Sequence, residues 1–220
     1  MHVLLVENDN LDQSESLMSS LEAQGHQVWL AHTPETAIHK TVTLWPNLVI
    51  FHPVYDFDMA GFQNAIKETR LDIPHIIVGH KKYLASETDS KTTIISSDKL
   101  QQLTQSIQKV TAKQKGRFVR VPGLIIDCNQ YKVLRGEINY SLTPKEFKLL
   151  HLLVTNSDEV LSRKLIMQKV WETDYMGDTR TLDVHIRWIR EKIEENPSRP
   201  RRLVTIRGLG YRFITQPDVD

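Results

Sequence analysis

The chain has a single cysteine, Cys128, and no stretch approaching the roughly 18 apolar residues of a membrane span. A lone thiol excludes an internal disulfide framework and a cysteine-based zinc site. Net charge is scarce too: 28 Lys and Arg stand against 27 Asp and Glu, a formal +1 over 220 residues. Taken as an average, that balance argues against a strongly basic nucleic-acid binder. Internal repeats and low-complexity segments are lacking. The first residues, Met1 to Glu7, show neither a basic n-region nor a small-residue cleavage site, so a cytoplasmic protein without a membrane partner is expected. What remains is ordinary: 40% hydrophobic and 25% charged residues, a soluble globular composition. The length equals about one and a half average domains of roughly 150 residues.

The average conceals an asymmetry. Residues 1–116 carry 10 basic and 13 acidic residues, a net of −3, and residues 117–220 carry 18 and 14, a net of +4. Residues 178–213 alone hold nine basic and five acidic residues, so the excess lies near the C-terminal end. A basic segment of this kind is a weak pointer to nucleic acid, because solvated basic faces are common.

The first half alternates short apolar runs with helical periodicity. Strands are predicted at His2–Val6, His26–Ala31, Asn47–Phe51, Ile73–Gly79 and Thr92–Ser96. Helices are predicted at Asn10–Gln24, from Thr33-Pro34 to about Leu44, at Ala60–Arg70, and at Asp98–Lys113, where Leu100, Leu103, Ile107 and Val110 recur at three and four. Thr33 is the expected cap with proline at the first helical position. Such alternation implies an α/β domain, a parallel sheet wound on both faces, with functional groups beyond the carboxyl ends of its strands. Those ends offer Glu7, Asn8 and Asp9, then His52, then Gly79 and His80, then Ser96.

Around Thr111–Arg120 the chain becomes polar and basic, and the rhythm then changes. The domains are placed at 1–112 and 119–216, with 113–118 as the linker. Short strands fill about 117–140, with a turn at Arg135-Gly136. Thr143-Pro144-Lys145-Glu146 is a capping box opening a helix to about Asn156. Ser162 caps a second helix to Trp171, Thr181–Glu194 forms a third, and Leu203–Ile214 reads as a hairpin around Gly208 and Gly210. Strands, three helices and a hairpin make an α+β winged helix-turn-helix.

On the third helix, Ile186, Ile189 and Ile193 fall within about 40° of Leu182 and form a buried stripe. The opposite face carries Arg180, Val184, Arg187 and Glu191, with Trp188 beside them and His185 and Arg190 flanking the stripe. Guanidinium forks suit guanine edges or phosphates, and valine suits a thymine methyl. A solvated basic face explains the helix equally well. The hairpin favours DNA, because it sets Arg207 at a glycine-bounded tip suited to a minor groove, with Thr205 and Tyr211 as phosphate contacts.

DTRTLDVHIRWIREKIE at 178–194, followed by TIRGLGYRF at 205–213, closely resembles the effector domain of the OmpR/PhoB family of bacterial response regulators. The resemblance implies DNA contacts at Arg180, Val184, His185, Arg187, Arg190, Thr205 and Arg207, with Trp188 where the family often has arginine. It also implies double-stranded DNA with direct-repeat sites as partner, a homodimer at least on DNA, and contact with RNA polymerase through Glu172, Thr173, Asp174, Tyr175, Met176 and Gly177.

The first half resembles, in outline, the flavodoxin-like (CheY-like) receiver of the same regulators. Family receivers phosphorylate an aspartate after the third strand, bind Mg²⁺ through two acidic groups after the first, and use a Ser/Thr and a Lys after the fourth and fifth. Here Glu7-Asn8 replaces the acidic pair, His52 the aspartate, Gly79 the Ser/Thr and Ser96 the Lys. Aspartyl phosphorylation needs a carboxylate nucleophile and a metal. The expectation is a degenerate receiver and a non-enzymatic, phosphorylation-independent regulator with no cofactor and no metal. Alternatives are phosphorylation at a displaced Asp9 or Asp56, and metal or small-ligand sensing by Glu7, His52 and His80. Between His80 and the fifth strand, residues 81–91 are too few for a full crossover helix, so the usual dimer surface is changed.

Overall fold

A computed structural model of the chain describes residues 1–9, 11, 16–52, 58–68, 73–79, 92–96, 101–112, 114–174 and 180–217. They form two units that part between Lys115 and Gly116.

In the first unit, strands β1 (His2–Val6), β2 (Gln27–Ala31), β3 (Leu48–Phe51), β4 (His75–Val78) and β5 (Thr92–Ile95) pair in parallel in the order β2-β1-β3-β4-β5. Residues 3–6 and Leu48–Phe51 are fully buried, which is why β1 and β3 read as unbroken apolar runs rather than alternating ones. Helices α1 (Met18–Ala23), α2 (Pro34–Leu44), α3 (Met59–Glu68) and α4 (Leu103–Ala112) connect or follow the strands. Leu17 and Leu21 pack with Leu103 and Ile107 against Val3, Leu5, Leu48 and Ile50. The Thr33 hydroxyl accepts from the Thr36 N–H at the start of α2. This is a doubly wound, flavodoxin-like sheet.

Two helices differ from their predicted spans. Among the described residues regular helix runs from Met18, and just before it Ser16 and Leu17 bond the Glu7 carboxylate; residues 10 and 12–15 of the predicted span lie outside the described residues. The last helix is regular from Leu103, and residues 97–100 and 113 lie outside the described set. So do His80, Asp56 and the segment 81–91. Strand order reverses direction between β1 and β3, and that opens a crevice beyond their carboxyl ends. Glu7 and His52 stand there, suspended by hydrogen bonds from Glu7 N to the Ala31 carbonyl (3.0 Å) and from His52 N to the Val6 carbonyl (2.9 Å).

The second unit opens with an antiparallel meander of β6 (Phe118–Val121), β7 (Leu124–Asp127), β8 (Lys132–Arg135) and β9 (Ile138–Ser141). Arg117 and Phe118, assigned from sequence to the linker, belong to this unit. Phe118 opens β6, and Arg117 is buried with its guanidinium 2.7 Å from the buried Asp127 carboxylate. A guanidinium inside a protein requires such a partner, and here it sits across the first hairpin.

Next come α5 (Pro144–Thr155), β10 (Val160–Ser162), α6 (Arg163–Ile166) widening into a π-helical turn at Met167–Trp171, α7 (Arg180–Ile193), β11 (Leu203–Ile206) and β12 (Gly210–Phe213). Both halves of the Thr143–Glu146 capping box are formed. Strand β10, which was not predicted, joins the hairpin in the order β10-β12-β11. It also fixes a glycine: a Cβ at Gly210 would lie 2.0 Å from the Leu161 carbonyl oxygen. Leu182, Ile186, Ile189 and Ile193 are all buried against Leu149, Leu150, Leu153, Leu203 and Phe213. Each such side chain contributes about 1.5–3 kcal/mol by leaving water. Among the described residues, no helix is long and apolar enough to cross a membrane.

Candidate nucleic-acid interface and receiver pocket

The position of α7 is set by three polar ties on its inner and lateral sides. Arg163 of α6 grips Asp183 of α7 with two nitrogens, at 2.8 and 2.9 Å. The Tyr211 hydroxyl of β12 donates to Asp183 and accepts from Arg163 Nη1 at 3.0 Å. The Arg163 bond holds the Asp183 carboxyl below its usual range, and burial followed by the Asp183 bond pushes the Tyr211 phenol up. At the far end, the Glu194 carboxylate is buried and accepts the backbone N–H groups of Arg201, Arg202 and Leu203 at 3.1, 3.0 and 2.7 Å. Lys192 donates to Glu146 at 2.6 Å and so ties α7 to the capped start of α5. Burial would raise the Glu146 pKa, but the bonds from Lys192 and from the Thr143 N–H outweigh it and hold it low.

Outside these ties lies an exposed strip. Val184, Arg187 and Trp188 are exposed on α7, Arg187 beside Glu191 at 3.2 Å, and Arg180 is exposed at the helix start. Thr205 and Arg207 are exposed on the hairpin, where Gly208 takes a φ of +75° and Leu209 N bonds the Ile206 carbonyl at 3.0 Å. His185 is half-buried, its Nδ1 2.8 Å from the Thr181 carbonyl, with its ring edge-on between Trp171 and Trp188.

Two residues singled out as DNA contacts are placed differently. Tyr211 is buried, its hydroxyl engaged by Asp183 and Arg163. Arg190 is half-buried and turned to the hairpin, donating to the Leu203 carbonyl at 2.9 Å and to the Thr205 hydroxyl at 2.8 Å. In the segment before α7, Glu172 has a left-handed backbone (φ 59°) and an exposed pairing with Lys148 at 3.1 Å, and the Gln168 amide donates to Asp174. Thr173 is described too, whereas Tyr175, Met176 and Gly177 lie outside the described residues.

In the first unit the pocket faces inward. Glu7 is buried; Oε1 accepts from the Leu17 N–H at 2.9 Å and lies 3.2 Å from Nδ1 of buried His52, while Oε2 accepts from the Ser16 hydroxyl at 2.7 Å. Burial alone would raise the Glu7 pKa, yet the bonds from His52, Leu17 and Ser16 hold it below the ordinary glutamate range. Asp9 is exposed and lies 3.1 Å from His32 Nδ1, which is also 2.9 Å from the Glu7 carbonyl oxygen. Asn8 offers its carbonyl to the Leu11 N–H at 3.2 Å. Gly79 N bonds the Ile95 carbonyl at 3.0 Å, and Ser96, half-buried, follows β5. The structure thus joins Glu7 to His52, while His80 lies outside the described residues; among the described residues no three His, Cys, Asp or Glu groups are placed to share a metal.

Residues 137–213 match the family described as transcriptional regulatory protein, C terminal. The phosphate regulon transcriptional regulatory protein PhoB of Escherichia coli K12 is 28% identical, over 97% of this chain and 98% of PhoB. The chain is thus similar to transcriptional regulators of this kind, most specifically over residues 137–213. SphR of Synechococcus elongatus, an alkaline phosphatase synthesis transcriptional regulatory protein, is 47% identical over 95 residues, 43% of this chain and 37% of SphR. Against three such relatives the chain spans 37%, 53% and 32% of their lengths. Among solved structures, response regulator DrrB of Thermotoga maritima, described as an OmpR/PhoB homolog, aligns over 97% of this chain and 99% of its own at 22% identity and a TM-score of 0.42.

The groups that sequence reasoning missed are those that position rather than present. Arg163, Asp183, Lys192 and Glu194 each look like solvated charges on a helix, and their partners lie 7 to 48 residues away. The one local clue was the Glu146 carboxylate of the capping box.

Proposed function

We propose that the chain binds specific double-stranded DNA sites and regulates transcription without aspartyl phosphorylation. In this reading α7 enters a major groove, Arg207 enters the adjacent minor groove, and a homodimer forms at least on DNA. The observation that carries it is the exposed strip of Val184, Arg187, Trp188 and Arg207, on a helix and hairpin held by the bonds of Asp183, Arg190 and Glu194. Guanidinium forks supply phosphate and guanine contacts, and the net charge of +4 on residues 117–220 attracts a polyanion. Support for phosphorylation independence comes from the first unit. His52 occupies the end of β3 where transfer needs a carboxylate, and Glu7, the only acid of the metal pair, is saturated by three protein donors.

Two experiments on the full-length chain test it. Unmodified protein is used to enrich fragments from a random duplex pool; a recurring sequence is expected, and enrichment of none would overturn DNA recognition. The chain is then incubated with a small-molecule phosphodonor and Mg²⁺. No incorporation is expected, and stoichiometric, Mg²⁺-dependent labelling abolished by one Asp substitution would overturn the second half of the proposal.

A further inference from the structure

Val184 and Trp188 are the large hydrophobic residues that α7 leaves exposed, at 42% and 43%. One helical turn apart, they share a face. The Trp188 indole is not a free rotor. It meets the His185 ring at 5.1 Å and 61°, and His185 is itself fixed by its Nδ1 bond to the Thr181 carbonyl and by Trp171 at 5.0 Å and 84°. The polar side chains that could compete for the same base edges are largely engaged elsewhere. Asp183 is held by Arg163 and Tyr211, and Arg190 by Leu203 and Thr205, which leaves Arg187 with Glu191.

The exposed middle of α7 therefore offers an apolar ridge beside one arginine–glutamate pair. In the major groove, every base pair presents hydrogen-bonding groups, but only thymine adds a methyl. Pressing Val184 and the face of the Trp188 ring against the amino and carbonyl edges of a G·C pair would desolvate them, and the single indole N–H could answer at most one acceptor. Against a thymine C5 methyl, the same contact buries apolar surface on both sides.

We infer that Val184 and Trp188 form a thymine-methyl reader, so that the site bound by α7 holds thymines on neighbouring base pairs and Trp188 is a specificity-determining residue. This rests on the DNA-binding reading above.

The test uses the full-length chain and the sequence it enriches from a random duplex pool. Each thymine of that sequence is replaced singly by uracil, which removes the methyl and leaves every hydrogen-bonding group in place. At one or two neighbouring positions the wild type should bind about three- to five-fold more weakly, the effect of burying one methyl group. In Trp188→Ala or Val184→Ala the penalty at the matching position should vanish. Trp188→Arg should shift the preferred base there toward guanine, and this variant decides the matter if the alanine proteins do not fold. Uracil tolerated at every position by the wild type overturns the inference, as does a uracil penalty that survives in all three variants. Enrichment of no sequence at all would instead remove the DNA-binding reading, and the inference with it.

Discussion

At the carboxyl ends of β1 and β3, polar atoms close upon one another: both oxygens of Glu7 accept from the protein, and His52 completes the set. On α7 and the hairpin the charged groups are more numerous and divided by side. Asp183, Arg190 and Glu194 are engaged by Arg163, Leu203, Thr205 and the backbone of residues 201–203, and Arg187 and Arg207 are left outside. The first arrangement stabilises a fold and presents little to a ligand. The second consumes just enough polarity to hold a surface in place. Burial, not the number of charges, separates a packed pocket from a reading face.

Five substitutions would break or sharpen this contrast. The largest effect is expected from Ile186→Ala, which opens a cavity under the reading face; thermal unfolding of the full chain should show a loss of about 2–5 kcal/mol. His52→Asp would set a second carboxylate against Glu7 and remove its donor, at a cost of roughly 3 kcal/mol near neutral pH. The pH dependence should also change sign. In the wild type the depressed Glu7 pKa contributes stability that is present above the ordinary value of about 4.3 and is lost as pH falls through the depressed folded value. In His52→Asp one carboxyl of the pair is pushed up, so melting temperature should rise as pH falls from 7 toward 5. Unchanged melting curves would show that the pocket is not the closed pair described.

Arg187→Ala should cost about 1–3 kcal/mol of binding and relax sequence preference, whereas Arg207→Ala should weaken all sites and lower the salt slope by about 1. Titrations at several salt concentrations separate the two. The smallest effect belongs to Tyr211→Phe: a loss of about 1 kcal/mol in stability, with the salt slope unaltered. A reduced slope would return Tyr211 to the phosphate contacts.

Much of the fold was legible because its signals are local. The unbroken apolar runs of β1 and β3, the Thr33 and Thr143 caps and the four-residue stripe of α7 each require only neighbours in sequence. The failures were long-range. Three residues of β10 are too few to show alternation, and Ser162 ends that strand while capping α6. The π-helical turn before Glu172 has no compositional mark. Just before helix α1, Leu17 is captured by Glu7, 10 residues back. At the site, exposure of Val184, Trp188 and Arg207 followed from helical phase and turn chemistry. The inward fate of Arg190 and Tyr211 did not, since it depends on Leu203, Thr205 and Arg163.

The two bonds from Arg190 to β11 have a further effect. They join α7 to the hairpin, and the Glu194 carboxylate reinforces the joint. If the chain binds DNA as proposed, helix and wing act as two ligands on a stiff, very short tether. Once either has engaged a duplex, the other meets its groove at a high effective concentration and without a fresh loss of translational freedom. Cutting the tether, for instance with Glu194→Gln, would lower avidity while leaving each contact surface chemically intact.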